Sequence, residues 1–96
     1  MGPFDKITGF EWDQGQKSPA KHGVTQGEAE PVFFYEPLVM LDDFKHSQAE
    51  PRFHALGQTN DGRLLHITFT IRGTMLRVIS ARDMHRKERA MYEQAT

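Results

Sequence analysis

Residues 53–80 read FHALGQTNDGRLLHITFTIRGTMLRVIS, and this stretch decides the fold. Apolar and polar residues alternate through three runs, which predicts three β-strands with side chains pointing alternately to two faces. Asn60-Asp61-Gly62 is typical of a three-residue hairpin loop, and Gly73-Thr74 is typical of a two-residue loop. The stretch therefore predicts an antiparallel meander.

The two loops also set the register between the strands. Phe53 is expected opposite Phe69, and Phe69 opposite Val78, which gathers apolar side chains on one face. Two interpretations of the opposite face stay open. It is either the solvated side of an antiparallel sheet or an anion-binding surface. The rows expected on that opposite side are Arg52, Thr70 and Arg77; His54, Thr68 and Ile79; and Leu56 with His66.

The flanking segments supply the other elements. Phe10-Glu11-Trp12 predicts a short strand, with Phe10 and Trp12 on one face, that joins the meander. Ser18–Gly23 predicts a very short helix that has Pro19 as its first residue and Gly23 as its stop. Thr25-Gln26-Gly27-Glu28 is a capping box, which predicts the start of a second helix.

The remaining segments complete an α+β fold. Pro37–Pro51 is expected to be an extended apolar segment followed by an exposed loop. A C-terminal helix is expected to begin near Asp83, with Met84, Met91 and Tyr92 packing. Residues 1–96 are thus predicted to be one domain with an N-terminal strand, two short helices, a three-stranded meander and a C-terminal helix.

Composition narrows the possible functions. The absence of cysteine excludes disulfides and thiol catalysis, and no apolar run reaches the length of a membrane span or signal peptide. We therefore expect a cytoplasmic protein without a membrane partner. Residues 1–50 carry a charge of −5, whereas residues 51–96 carry +4 with seven arginines. The arginine-rich half suits an anion-binding surface, although scattered solvated charges would give the same totals.

Metal and cofactor sites are not expected. The five histidines include no pair at helical metal-ligand spacing, and the glycines do not form a phosphate-binding loop.

In chain order, the sequence resembles the BrnT family of toxins over nearly its whole length. The matching segments are Phe10-Glu11-Trp12-Asp13, Lys21-His22-Gly23-Val24, Glu28-Ala29-Glu30 with Val32-Phe33, His46-Ser47, Glu50-Pro51-Arg52-Phe53, Gly62-Arg63-Leu64, Phe69-Thr70-Ile71-Arg72, Arg77-Val78-Ile79-Ser80-Ala81-Arg82-Asp83-Met84, and Arg86-Lys87-Glu88-Arg89 with Tyr92. One departure is a first helix that is shorter than in the family and contains Pro19.

The resemblance implies a RelE-like fold with helices on one face of an antiparallel sheet. It also implies a metal-independent ribonuclease that inhibits translation. The implied partner is a BrnA-type ribbon-helix-helix antitoxin. The resemblance implies that the complex of the two represses its own operon and that the toxin is held on operator DNA through the antitoxin. The alternative interpretation, favoured by Pro19, is an attenuated toxin that acts mainly as an antitoxin-binding corepressor.

RNA is cleaved without metal when its 2′-hydroxyl attacks the adjacent phosphorus, which requires phosphate stabilisation and proton transfer. Arg52 and Arg77 are the candidates for phosphate stabilisation, and Arg82, expected after the third strand, for clamping phosphate. Lys21 and His22 are family-based candidates for proton transfer, although Lys-His-Gly also suits a helix C-terminus. For each arginine the alternative is an ion pair. The candidate RNA-binding residues are His54, Arg63, His66, Thr70, Arg72 and Arg86.

Overall fold

The computed structural model describes residues 4–12, 23–42 and 51–95, and these form an α+β structure around a mixed sheet. Its five strands are β1 Gly9–Trp12, β2 Val39–Asp42, β3 Phe53–Gln58, β4 Leu64–Arg72 and β5 Met75–Asp83. They lie in the order β1-β5-β4-β3-β2, and only the β1–β5 pair is parallel. The predicted meander and the N-terminal strand beside it are confirmed. Strand β2 was expected only as an extended segment, so the sheet is one strand larger than predicted.

The hairpin loops have the predicted geometry. Gly62 and Gly73 have φ angles of 85° and 61°, in the left-handed region that favours glycine. The Thr59 N–H donates to the Arg63 carbonyl oxygen at 2.9 Å, which closes the loop around residues 60–62. Phe53 lies opposite Phe69, which lies opposite Val78, and this confirms the predicted register.

A β-bulge changes the register beyond that point. Thr68 lies opposite Ser80 while Phe69 lies opposite Val78, so Ile79 is the extra residue on β5. The prediction that Ile79 lies opposite Thr68 is therefore wrong. The same shift places Arg82 opposite His66 and inside β5, rather than after the strand as expected.

The predicted capping box is confirmed. The Thr25 hydroxyl accepts from the Glu28 N–H at 3.2 Å, and the Glu28 carboxylate accepts from the Thr25 N–H at 3.0 Å. Helix α1 is only Gln26–Ala29 and continues as a 3₁₀-helix, Glu30–Phe34. The predicted helix at Ser18–Gly23 lies outside the described residues except for Gly23, whose φ of 70° suits a helix stop.

Helix α2 is Arg86–Ala95, so it begins later than predicted. Asp83 is the last residue of β5 and does not cap the helix; instead, the His85 N–H donates to the Glu88 carboxylate at 2.8 Å. The expected packing of Met84 and Tyr92 is confirmed, but Met91 is exposed. Neither α-helix in the described part of the chain has the length and apolarity needed to cross a bilayer.

The two faces of the sheet differ in what covers them. The apolar face carries Phe69, Ile67 and Val78 and packs against the 3₁₀-helix through Val32 and Phe33. The polar face carries His54, His66, Thr68, Arg77, Ser80 and Arg82, which follow from the strand pairing.

Helix α2 packs on the polar face, at the end where that face turns apolar. Its Tyr92 packs with Leu56, which alternates to the same side as His54, and the Tyr92 hydroxyl donates to the Pro37 carbonyl oxygen at 2.7 Å. The expectation that all helices lie on one face is therefore wrong. Val39, Leu41 and Leu64 also point to this side, which explains why an apolar helix face docks there.

Candidate functional site

Two histidines touch on the polar face. His54 on β3 and His66 on β4 lie two residue pairs apart along the ladder, and therefore on the same face, and His66 Nε2 is 2.8 Å from His54 Nδ1. The Thr68 hydroxyl oxygen is 3.0 Å from the same His54 nitrogen. The rings are nearly perpendicular, with centroids 4.9 Å apart. The strand register therefore places both imidazole groups on one face, and these contacts hold the rings in their orientations.

A carboxylate from α2 completes this group. Glu88 Oε2 lies 2.5 Å from His66 Nδ1. Arg82 donates to both carboxylate oxygens, from Nη1 at 2.8 Å and from Nη2 at 2.9 Å. The bulge at Ile79 places Arg82 on this face, and the His85 N–H fixes Glu88 from within the helix. Strands β3, β4 and β5 and helix α2 thus meet at one polar cluster.

The charges in this cluster are set by burial and by neighbours. Burial lowers the pKa of His66, and the Arg82 charge lowers it further, against the opposing effect of Glu88. His66 is therefore neutral at neutral pH. Burial alone would raise the pKa of Glu88, but hydrogen bonds from Arg82, the His85 backbone and His66 lower it to about 2. Glu88 is thus ionised at neutral pH.

Two predicted phosphate-binding arginines flank Thr70, in the row of the sheet that follows the row of His54 and Thr68. Arg77 on β5 lies opposite Thr70, and its Nη1 is 3.7 Å from Glu11 Oε2 on β1. Arg52 is half-buried and directly precedes β3, on the other side of β4. Two strand spacings separate their backbones, roughly 10 Å. This is within the reach of two long side chains that contact one nucleotide.

Thr70 cannot contact RNA in this arrangement. It is fully buried, and its hydroxyl donates to the carbonyl oxygen of Pro51. Its contribution is structural, because the bond ties β4 to the segment that carries Arg52. We therefore remove Thr70 from the candidate RNA contacts.

Arg63 is held by two carboxylates and a carbonyl oxygen. It donates to Asp83 at 2.7 and 3.2 Å, to Glu28 at 3.1 Å and to the Gly23 carbonyl oxygen at 3.1 Å. These partners raise the pKa of Arg63, chiefly through the Asp83 hydrogen bonds. The ion-pair alternative therefore describes Arg63 better than RNA binding, since its donors anchor the β3–β4 loop to α1 and β5.

The other predicted residues divide into two groups. Arg72 is the last residue of β4 and Arg86 is the first residue of α2, and both side chains are exposed. Lys21 and His22 lie outside the described residues. Within residues 4–12, 23–42 and 51–95, no group of histidine and acidic side chains is arranged to hold a metal ion.

Sequence reasoning missed the carboxylates that organise the site. Glu88 was assigned only to the last helix, yet it contacts both His66 and Arg82. Its signal is the spacing of three residues from His85, which resembles a capping box but lacks the usual Ser or Thr. Glu11 has no local signal, because it meets Arg77 only through the parallel β1–β5 pairing.

Fold and site together define a small α+β protein whose polar sheet face suits phosphate-ester chemistry, with imidazoles for proton transfer beside guanidinium groups for anions. A family model described as the ribonuclease toxin BrnT of type II toxin–antitoxin systems matches residues 12–88. The chain belongs to this family, which implies RNA as substrate and an antitoxin as partner. The matched range contains the histidine pair and ends at Glu88. No curated protein sequence matches the chain.

Proposed function

We propose that this ribonuclease toxin cleaves RNA on the polar face without a metal ion. The 2′-oxygen attacks the adjacent phosphorus, the 5′-oxygen leaves, and the products carry a 2′,3′-cyclic phosphate and a 5′-hydroxyl. The observation that supports this reaction best is the contact between His54 and His66 on the face that also carries Arg77. Imidazoles transfer protons at neutral pH, and guanidinium groups stabilise charge on phosphate.

The roles follow from what each side chain already contacts. His54 is half-buried and accepts the proton of the 2′-hydroxyl. Arg77 and Arg52 bind the non-bridging oxygens and stabilise the extra negative charge of the transition state. Arg82 was expected to clamp phosphate, but both its terminal nitrogens donate to Glu88, so we assign it to holding that carboxylate.

The proton for the leaving 5′-oxygen requires a second group. Lys21 and His22 remain the candidates that family resemblance offers for this step, and both lie within the matched range.

A cleavage assay in EDTA tests the reaction. The purified chain should cut RNA in the presence of the chelator and leave cyclic phosphate ends. His54→Ala should lower kcat about 10²- to 10⁴-fold, because general acid–base catalysis contributes that much. Joint Arg52→Ala and Arg77→Ala should lower it at least about 10²-fold. Arg89→Ala, an exposed arginine on α2, is the matched control and should leave cleavage unchanged.

Two results would contradict the proposal. Cleavage that stops in EDTA and returns with Mg²⁺ would refute metal independence. Full activity of the Arg52→Ala and Arg77→Ala double variant would refute the assignment of the phosphate-stabilising arginines.

We further propose that the partner is a BrnA-type ribbon-helix-helix antitoxin whose acidic side chains cover the polar face, and that the complex represses its own operon. Family membership and the charge of +4 on residues 51–96 support this. Binding should weaken as salt is raised, and the toxin should shift operator DNA only when the antitoxin is present. Antitoxin binding without RNA cleavage by the free chain would instead favour a corepressor.

A further inference from the structure

Glu88, His66 and His54 form a continuous chain of hydrogen-bonding atoms. Glu88 Oε2 is 2.5 Å from His66 Nδ1, and His66 Nε2 is 2.8 Å from His54 Nδ1. The three residues come from α2, β4 and β3, so the chain exists only when the helix is docked on the sheet. Neither Glu88 nor His66 needs to touch RNA to influence His54.

The positions of the protons follow from this geometry. A carboxylate can only accept, so the neutral His66 ring carries its proton on Nδ1 and donates to Glu88. His66 Nε2 then has a lone pair and accepts from the Nδ1–H of His54. Arg82 Nη2 also lies 2.9 Å from His66 Nδ1. In this tautomer both nitrogens bear hydrogen, so neither accepts from the other, and Arg82 Nη2 donates to Glu88 instead.

We propose that Glu88 is a positioning residue for RNA cleavage, which through His66 holds His54 in the tautomer whose Nε2 accepts the 2′-hydroxyl proton. This inference rests on the proposed function. In the cleavage step the proton moves from the 2′-oxygen to His54 Nε2 as the 2′-oxygen bonds to phosphorus. The imidazolium keeps its Nδ1–H bond to His66, and the Glu88 carboxylate at the far end of the chain stabilises the new positive charge.

The tautomers can be measured directly. In ¹⁵N-histidine-labelled protein near neutral pH, long-range ¹H–¹⁵N correlations should place the proton of both His54 and His66 on Nδ1. In Glu88→Gln the fraction of His54 in this tautomer should fall. A wild-type protein that carries the His54 proton on Nε2 would overturn the proposal, and so would a His54 tautomer that Glu88→Gln leaves unchanged. The wild-type measurement keeps the proposal testable even if the variant unfolds.

The kinetic test separates positioning from a purely structural role. Glu88→Gln should lower kcat up to about 10²-fold with little change in KM, because the base loses its orientation rather than its substrate. His66 contacts Glu88, Arg82 and His54. Of these three, only Glu88 raises the pKa of His66, so the Glu88→Gln substitution makes a positive charge on His66 less favourable. The same carboxylate stabilises the protonated form of the base His54 through His66, so the acidic limb of the kcat profile should move to lower pH in this variant.

Matched variants control for stability. Glu93→Gln makes the same substitution on an exposed position of α2 and should leave kcat and the pH profile unchanged. Glu88→Asp keeps the charge and should restore part of the activity. An unchanged kcat and pH profile in a folded Glu88→Gln, beside an active wild type, would overturn this inference alone. Absence of cleavage by the wild type would overturn the proposed function as well.

Discussion

The two faces of the sheet are stabilised in different ways. The apolar face is filled by non-directional ring packing, in which Phe69 contacts Phe4, Phe33 and Phe53 at centroid distances of 5.0 to 5.8 Å. The polar face is organised by directional contacts between Arg82, Glu88 and the histidines. Packing tolerates small shifts, whereas hydrogen bonds and proton transfer do not. Stability should therefore depend mostly on one face and chemistry on the other.

The largest loss of stability is expected on the apolar face. Phe69→Ala removes a fully buried ring and should lower the free energy of unfolding by about 3 to 5 kcal/mol. Ile71→Ala lies on the same strand and the same face, but its side chain is exposed, so it should cost less than about 1 kcal/mol. Urea unfolding measures both. Equal losses would show that the phenylalanine cluster is not the main source of stability.

A smaller effect is expected where the polar face is held by charge. A double-mutant cycle of Arg82→Ala and Glu88→Gln should give a coupling of about 2 kcal/mol, since both side chains are mostly buried and the contact is bidentate. A coupling near zero, measured from the same urea transitions, would show that solvent screens this pair despite its geometry.

The pH dependence of stability should also come from the polar face. The pKa of folded His66 is lowered by burial, so the unfolded chain takes up this proton more readily and stability falls as pH drops below 6.5. The pKa of Glu88 is lowered from 4.5 to about 2, which extends the loss at lower pH. Urea midpoints of the wild type and His66→Gln would be compared across this window. Stability that rises below pH 6.5 would mean that His66 gains its proton in the folded state.

The smallest effect is expected at the exposed ion pair between Arg77 and Glu11. Glu11→Gln should change stability by less than about 0.5 kcal/mol, because the atoms are 3.7 Å apart and both side chains are partly solvated. Removing this carboxylate should nevertheless tighten RNA binding slightly, by up to about threefold at low salt, because Glu11 then no longer competes with phosphate for Arg77. Weaker binding, measured by fluorescence anisotropy, would contradict the role assigned to Arg77.

The sequence predicts those features that local chemistry determines. Gly62 and Gly73 set the hairpin loops, and the loops set the register of Phe53, Phe69 and Val78. The capping box at Thr25 depends only on residues within one turn, and the sequence predicts it for that reason. The same register predicts that His54 and Arg77 lie on one face.

Features that depend on tertiary contacts were not predictable. The extra residue Ile79 has no bulge signal in its sequence, so the position of Arg82 opposite His66 was missed. The start of α2 at Arg86 depends on Glu88 accepting a backbone hydrogen bond rather than on a Ser or Asp cap. Thr70 alternates like a solvated residue, yet the chain before β3 covers it.

The central claim is that RNA binds and reacts on the polar face, and an NMR titration tests it most directly. RNA with 2′-O-methyl groups cannot attack its own phosphorus, so it should bind without being cut. Its addition should shift the side-chain signals of His54 and Arg77 and leave the exposed rings of Phe34 and Tyr35 unchanged. Shifts confined to Phe34 and Tyr35, with His54 and Arg77 unaffected at saturation, would contradict the account.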